Sequence, residues 1–311
     1  MNILSSKLVW YIVKRVLLAV FTIFLIITIT FFAVRAIPGN PFIGEKTPSQ
    51  EVIDALYKKH GLDKPLGEQY IIYLGNVLHG DFGDSAKYIG KPVMDLIGEC
   101  FSYSAKIGLS AASFAIVLGL TFGSVAAVFH NKLVDRIIMI LTSALVALPS
   151  FVIATICLLL FCMTWNIFPP NGTTTAGLVL PVISLMLYPM SYITRLTRSS
   201  MLDVLGQDYI RTARAKGVSN VKVIFKHALK NAVTPVITYV GPMIAFILTG
   251  SLVVEQVFRV PGLGRFFVSS VTDRDYPMVM GTTIFLATLM VIMTLVSDIL
   301  YKIVDPRVDL K

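Results

Sequence analysis

Long runs without a charged residue recur along the 311-residue chain. Five of them reach about 19 residues or more, which is the length that an α-helix needs to cross a bilayer. They cover residues 16–34, 107–129, 137–194, 232–254 and 278–297. The third run is too long for one crossing, and it contains WNIFPPNGTTTAG (residues 165–177), whose Pro, Asn and Gly favour a turn. The pattern therefore predicts an all-α integral membrane protein with six transmembrane helices.

The positions of Lys and Arg predict how these helices are oriented. Sixteen of the 27 Lys and Arg lie in the amino-terminal segment, between helices two and three, between helices four and five, and after helix six. Basic residues in short flanks stay in the cytoplasm, so both termini are expected there. The run after Lys14 and Arg15 raises the alternative of a cleaved signal peptide. It is longer than a signal-peptide core and lacks a small-residue cleavage pattern, which favours an uncleaved anchor.

The spans divide the chain into four parts. Residues 1–36 are the amino-terminal segment and first helix, 37–101 an extracytoplasmic loop, 102–304 the core with helices two to six, and 305–311 a cytoplasmic tail. The core includes a cytoplasmic loop at residues 196–234. The extracytoplasmic loop has mixed charge and amphipathic stretches such as SQEVIDALYKKHGL. These favour a small cap packed on the helices, and a docking surface for an extracellular binding protein is compatible with such a cap.

Residues that commonly carry chemistry are scarce and scattered. The three cysteines and four histidines show no metal-ligand spacing. There is no phosphate loop of the G-x-x-x-x-G-K-[ST] type and no paired-acid or nucleophile pattern. We therefore expect no catalytic residue, metal or cofactor in this chain. Any nucleotide chemistry must come from another chain.

The most patterned polar stretch is DYIRTARAKGVSNVKVIFKHALKNAVTP, residues 208–235. Apolar spacing predicts two short helices, the first with Leu202 and Tyr209 on one face. Gly217 fits the left-handed position that ends a helix, and Ser219 fits the N-cap of the next. Lysines repeat every four residues on another face of the second helix. A loop that lies on anionic lipid, or that is basic only because of topology, does not require this arrangement.

The helix, glycine turn and helix resemble the cytoplasmic coupling loop of ATP-binding-cassette importer permeases. RTARAKG and HALKNAVTP resemble the branch that imports peptides and nickel. The resemblance extends over nearly the whole chain, and it is strongest to the B-type subunits of oligopeptide permeases. It is carried by RAIPGNPF, GDFGDSAKYIGKPVMDLI, ALPSFV, SYITRLTRSSMLDVL, GSLVVEQVFRVPGLGRFF and VDPRVD.

This resemblance implies a type I importer permease fold in a bacterial cytoplasmic membrane. The implied partners are the lipid bilayer, a second, C-type permease subunit, two ATPase subunits that bind ATP and Mg, and an extracellular peptide-binding lipoprotein or periplasmic protein; no nucleic acid is expected. The implied substrate is a short peptide, with dipeptides or nickel as the alternative. The residues implied to contact the ATPase are Asp208, Tyr209, Arg211, Thr212, Ala213, Arg214, Ala215, Lys216, Gly217 and Ser219.

Two positions of the loop depart from the general family pattern. That pattern has Glu-Ala-Ala three residues before its glycine, where this chain has Arg211-Thr212-Ala213. It also ends near Leu-Pro, where this chain has Leu229-Lys230. The departures leave the individual ATPase contacts open.

A second candidate segment, EQVFRVPGLG, closes the fifth span. It is either an ordinary turn or a re-entrant gate at the outer face, because irregular backbone at membrane depth needs protein or a watery cavity around it. The gate residues would be Glu255, Arg259, Pro261, Gly262 and Gly264. Glu255 and Arg259 are one helical turn apart, which would allow an ion pair.

Asp298 is the residue on which a rival hypothesis depends. A carboxylate inside a bilayer suggests a proton path, so a proton-coupled transporter is one alternative. Asp298 lies near the cytoplasmic boundary, four residues before Lys302, and this spacing favours an ion pair instead. A sensory scaffold that signals through the basic loop without transport is the other alternative.

Overall fold

The structure is a computed structural model that describes residues 6–37, 63–249 and 252–304. Its α-helices are α1 (Ser6–Arg35), α2 (Leu66–Leu78), α3 (Val93–Val128), α4 (Leu133–Ala147), α5 (Ser150–Cys157), α6 (Val179–Leu205), α7 (Asp208–Ala215), α8 (Asn220–Lys222), α9 (Lys230–Ala232), α10 (Thr234–Leu248), α11 (Leu252–Val257), α12 (Leu263–Thr272) and α13 (Tyr276–Val304). Two π-helical segments, Leu158–Thr164 and Val223–Leu229, and a 3-10 turn, Ala176–Leu178, join some of them.

The prediction of an all-α membrane protein with six spans is confirmed. Five stretches are long and apolar enough to cross a bilayer: Trp10–Arg35, Val93–Val128, Ala176–Leu205, Thr234–Val257 and Tyr276–Ile299. The sixth is a bent pair, Leu133–Ala147 and Ser150–Thr164, with 101° between its halves. The bend falls at Leu148-Pro149, where proline removes a backbone donor and keeps the preceding residue out of the helical conformation.

The second span is longer than the apolar run that predicted it. Helix α3 begins at Val93, although the charge-free run begins at residue 107. The added turns are amphipathic: Val93, Ile97 and Cys100 are buried, while Asp95 is exposed. Because charged residues interrupt this part, a search for charge-free runs misses it.

Contacts divide the chain into two compact units. The first comprises Met1–Tyr103 and Gly262–Ile292, and the second comprises Ser104–Pro261 and Met293–Lys311. In the first unit, Leu263 and Met278 pack with Val93 and Ile97 in one buried cluster. The predicted division into membrane segments, which kept residues 102–304 together, stays a prediction.

The first unit contains an anchored loop between α2 and α3. Asp275, buried at the start of α13, accepts hydrogen bonds from the Ser85 hydroxyl and from the backbone N–H groups of Ala86 (3.1 Å) and Met278 (3.2 Å). Lys87 forms an ion pair with Asp273. That hydrogen bond from Lys87 to the carboxylate raises the pKa of the ammonium group. Residues 38–62 of the predicted cap lie outside the described residues.

In the second unit, small residues allow two helices to approach closely. A Cβ atom at Gly119 of α3 would lie 2.7 Å from the Cβ of Ile193, and one at Gly123 would lie 2.5 Å from the Cβ of Thr197. Both partners belong to α6. Glycine at these positions therefore sets the distance between α3 and α6, as small residues do at membrane helix crossings.

Candidate functional site

The basic loop folds as two short helices around a left-handed glycine, as the sequence predicts. Gly217 has φ of 75°. Its N–H donates to the carbonyl of Arg214 at 3.0 Å, and the N–H of Val218 donates to the carbonyl of Ala213 at 3.2 Å. These two bonds form a Schellman motif, which satisfies carbonyls left free at the end of α7. Ser219 takes the N-cap position of α8, without a side-chain hydrogen bond.

The predicted face of the first helix is wrong in detail. The sequence was expected to continue helically past Leu202 with Tyr209 on the apolar face. Helix α6 instead ends at Leu205, and Gln207 has an extended conformation before α7 begins. This break rotates the register, so that Ile210 is fully buried and Tyr209 is 43% exposed. The Tyr209 hydroxyl accepts a hydrogen bond from Asn231 Nδ2 at 2.8 Å.

The loop is held against the spans by a buried cluster. Its buried members are Ala127, Met201, Ile210, Val223, Ala228 and Ala232. They come from the end of α3, the end of α6, α7 and the second helix of the loop. Because an isolated eight-residue helix is not stable in water, the order of α7 depends on this packing.

The ten predicted ATPase-contact residues lie on the surface of α7 and of the turn that leads to α8. Nine of them are exposed, and Ala213 is half-buried. The Asp208 carboxylate lies 3.7 Å from the guanidinium of Arg211, with both side chains largely in solvent. Two large apolar side chains on the second helix, Val221 and Phe225, are 65% and 63% exposed. The surface therefore combines charged groups with apolar groups that nothing in the described chain covers.

An ion pair above this loop was not found from the sequence. Asp135 on α4 is 2% exposed, and its carboxylate accepts bonds from Arg198 Nε at 2.6 Å and Arg198 Nη2 at 2.8 Å. The backbone N–H of Asn131 donates to the same carboxylate at 2.9 Å. The pair joins the start of α4 to α6, about two turns before the loop. Its members are 63 residues apart in sequence, so no local spacing signals the contact.

The predicted ion pair between Glu255 and Arg259 does not form in the described structure. Helix α11 ends at Val257, and Arg259 has φ of 51°, so the two side chains are not one helical turn apart. Glu255 is 2% exposed and accepts a hydrogen bond from the Ser104 hydroxyl at 2.7 Å. The Arg259 side chain is exposed and Pro261 is half-buried.

Close packing fixes the backbone of this outer segment. Val260 is fully buried, and a Cβ atom on Gly172 would lie 2.2 Å from its Cγ2. The carbonyl of Phe258 accepts a hydrogen bond from the Gly172 N–H at 2.8 Å. Gly172 belongs to the loop between the third and fourth spans, so this loop supports the segment up to Pro261.

In the first unit, Gly262 and Gly264 begin α12. Gly262 is the extended N-cap residue and Gly264 is buried in the first turn. The choice between a turn and a gate stays a prediction for these residues and for Glu255, Arg259 and Pro261.

Two further expectations concern metal ligands and Asp298. Among the described residues, no three His, Cys, Asp or Glu side chains gather in a way that could hold a metal ion. The side chain of Lys302 lies outside the described part of the chain, so its pairing with Asp298 stays a prediction.

Comparison with known proteins identifies the family. Residues 119–310 match the family described as binding-protein-dependent transport system inner membrane component, and residues 8–122 match the amino-terminal family of such membrane components. The dipeptide transport system permease protein DppB of Bacillus subtilis (strain 168) is 42% identical over 301 residues, which cover 96% of this chain and 98% of the relative. The oligopeptide transport system permease protein OppB of Haemophilus influenzae is 43% identical with the same coverage.

A solved structure shares the fold. The crystal structure of an amino acid ABC transporter with histidines matches with a TM-score of 0.50 and 18% identity, over 69% of this chain and 94% of that one. This likeness agrees with the type I permease architecture and extends to the fold alone. Together with the full-length sequence matches, it shows that the chain belongs to the inner membrane components of binding-protein-dependent transport systems.

Proposed function

We propose that this chain is one of two pore-forming subunits of an ATP-binding-cassette importer for short peptides. Support for peptides comes from the relatives, which are named as dipeptide and oligopeptide permeases and align over almost their whole length. Oligopeptides are the main substrate class, and dipeptides or nickel are the alternative within the family. The second pore-forming subunit is a homologous C-type permease.

The observation that carries the coupling role is the exposed loop of residues 208–219. The buried side chain of Ile210 packs α7 against the spans, whereas no residue of the described chain covers the outer surface of the loop. A loop lying on lipid head groups would direct its apolar side chains toward the bilayer. Within α7, Ile210 turns into the buried cluster and Asp208, Tyr209 and Arg211 point outward, while the exposed apolar side chains Val221 and Phe225 lie on the second helix. Such a mixed surface suits a cleft on a partner protein.

The partner at this surface is the ATPase. Two ATPase subunits bind ATP and Mg, and their closure moves the loop and the spans to which it is packed. This chain itself contributes no catalytic residue. Peptide reaches the outer face on an extracellular binding lipoprotein or periplasmic protein. Residues 255–264 act there as an outer gate, a role supported by the left-handed backbone of Arg259, since unusual backbone conformations cluster at switch regions.

Affinity purification from native membranes tests this assignment. The tagged chain is expected to bring with it a second six-span permease and two ATPases with phosphate loops. The purified chain alone is expected not to hydrolyse ATP, and robust hydrolysis by a preparation free of other chains would contradict the proposal. Peptide uptake that stops with an uncoupler while ATP stays high would favour the proton-coupled alternative.

A further inference from the structure

One exposed face of α6 carries polar side chains along the membrane-spanning part of the helix. Tyr188, Tyr192, Arg195 and Ser199 follow one another at steps of four, three and four residues, so they share a face. All four are exposed, with Tyr188 at 44% and Tyr192 at 41% of their full surface. We call this row, with Thr238 and Tyr239 of the adjoining helix α10, the polar stripe.

The polar stripe lies at membrane depth. With a rise of about 1.5 Å per residue, Tyr188 and Tyr192 are roughly 18 and 24 Å from the Ala176 end of a span about 45 Å long. By contrast, one exposed row of α4, formed by Leu133, Ile137 and Ile140, is apolar, as a lipid-facing surface requires. The polar stripe is therefore not built for lipid.

The second helix of the stripe adds aromatic and backbone groups. The rings of Tyr192 and Tyr239 lie 4.3 Å apart between their centroids, so α6 and α10 meet along the stripe. Thr238 and Pro242 are exposed beside them. Pro242 has no N–H to donate to the carbonyl of Thr238. In the described chain, no side-chain hydrogen bond is made by the hydroxyl groups of Tyr188, Tyr192 or Tyr239.

Polar groups without partners at this depth are costly in hydrocarbon, so they must face water, a ligand or another protein. We propose that the polar stripe lines the transport path and binds the backbone of the passing peptide. Tyrosine hydroxyls both donate and accept hydrogen bonds, which matches peptide C=O and N–H groups, and their rings accommodate varied apolar side chains. This inference rests on the proposed function, because it takes the peptide as the ligand.

The charge of Arg195 favours the carboxyl end of the peptide at the cytoplasmic end of the polar stripe. Arg195 is the charged side chain of the polar stripe, and the described residues offer it no carboxylate partner. An unmodified peptide has a terminal carboxylate whatever its sequence. The guanidinium of Arg195 can bind that group with two hydrogen bonds.

Thiol labelling of the assembled complex in vesicles tests whether the stripe faces water. Cys100, Cys157 and Cys162 are first replaced by serine, and Tyr192→Cys or the lipid-facing control Ile140→Cys is then introduced. A charged maleimide reacts only where water reaches the thiol. We expect Tyr192→Cys to react at least about tenfold faster than Ile140→Cys, because a thiolate forms in water and not in hydrocarbon. Peptides of two to six residues, added with the binding protein, should slow the reaction.

Each other outcome contradicts a specific part. Equal, slow labelling of the two variants means that lipid or the second permease covers the stripe, and labelling that peptides do not change means that the path does not bind them there. Peptide uptake by the cysteine-free parent in the same vesicles is measured in parallel. Absence of that uptake would count against the proposed function, whereas uptake without labelling at Tyr192→Cys overturns the inference alone.

The kinetics of peptide uptake test the roles of the Tyr192 hydroxyl and the Arg195 guanidinium. Tyr192→Phe keeps the ring and removes the hydroxyl, and it should raise the KM for peptide uptake about three- to tenfold, the effect of one hydrogen bond. Peptides with an amidated carboxyl end should be taken up with a higher KM than the free acids. Arg195→Gln should abolish that difference. An unchanged KM in Tyr192→Phe together with an unchanged preference in Arg195→Gln would overturn the proposal.

Discussion

Replacing Gly217 tests whether residues 208–219 couple the chain to the ATPase or are basic only because they face the cytoplasm. The residue has φ of 75°, and a Cβ atom placed there would meet no other atom within 4 Å. A substitution at this position therefore acts through the backbone and not through a clash. A left-handed conformation costs an ordinary residue roughly 1–2 kcal/mol, and a β-branched residue such as valine more. Asparagine tolerates it best after glycine.

The expected effect follows from the two hydrogen bonds that close the turn. Gly217→Val should favour conformations in which the bonds to Ala213 and Arg214 are broken, and roughly 1.4 kcal/mol is enough to lower the ratio of the native turn to those conformations tenfold. Gly217→Asn is the matched control, since it adds a side chain while keeping the turn. We expect peptide uptake per ATP hydrolysed to fall several-fold in Gly217→Val and to stay near wild type in Gly217→Asn.

The assay is peptide uptake and ATP hydrolysis by the reconstituted complex in the same vesicles. Recovery of all subunits on purification shows whether each variant assembles. If Gly217→Val assembles and transports as well as Gly217→Asn, the turn is not needed for coupling. The role assigned to residues 208–219 would then be wrong.

Three further outcomes are expected elsewhere in the chain. Gly123→Ala should destabilise the protein by about 1–3 kcal/mol, because its methyl group would overlap α6. The control Gly98→Ala should be neutral or stabilising, because a Cβ atom there has no neighbour within 4 Å. Thermal unfolding in detergent compares the two variants. Arg198→Ala should cost roughly 2–4 kcal/mol, because the buried Asp135 carboxylate loses both guanidinium hydrogen bonds and is left with the Asn131 N–H and the His130 ring beside it. Adding Asp135→Ala should recover part of that loss, and equal stability of the single and double variants would contradict a costly buried charge. Because the pKa of Lys87 is raised in the folded protein, its stabilising contribution is present below its unfolded pKa and is lost as the pH rises through its folded pKa. The free energy of unfolding of Lys87→Gln should therefore differ from that of wild type by no more than about 1 kcal/mol at pH 7, and the two should converge at strongly alkaline pH.

Sequence pattern predicted the features that depend on neighbours along the chain. Charge-free runs located the spans, and the glycine before Val218 located the turn, because both signals are local. The break before α7 was missed, since Gly206-Gln207 lies inside a run that continues the helical spacing. Because this break was not predicted, Tyr209 was assigned to the apolar face, and Ile210 was not identified as the buried residue that anchors α7.

Features that depend on distant residues were not predictable in this way. The contact of Asp135 with Arg198 needs the approach of α4 to α6, and a single sequence does not contain that distance. The polar stripe was present in the sequence as Tyr188 and Tyr192, but helical spacing alone does not say which face of a span is covered. The π-helical segment Val223–Leu229 likewise gave no warning, because its residues have ordinary apolar spacing.

The proline-free course of α6 from Tyr192 onward has a mechanical consequence. From Tyr192 to Leu205 the helix contains no proline, and over about 20 Å a continuous helix moves nearly as a stiff rod. One end of that rod is fixed to the cluster around Ile210, and its side is pressed against Gly119 and Gly123 of α3. A tilt imposed at the cytoplasmic end would thus swing Tyr192 without any intermediate hinge, whereas Pro189 lies between this rod and Tyr188. The contacts that Gly119 and Gly123 permit therefore set the point about which α6 tilts and the length of helix that moves.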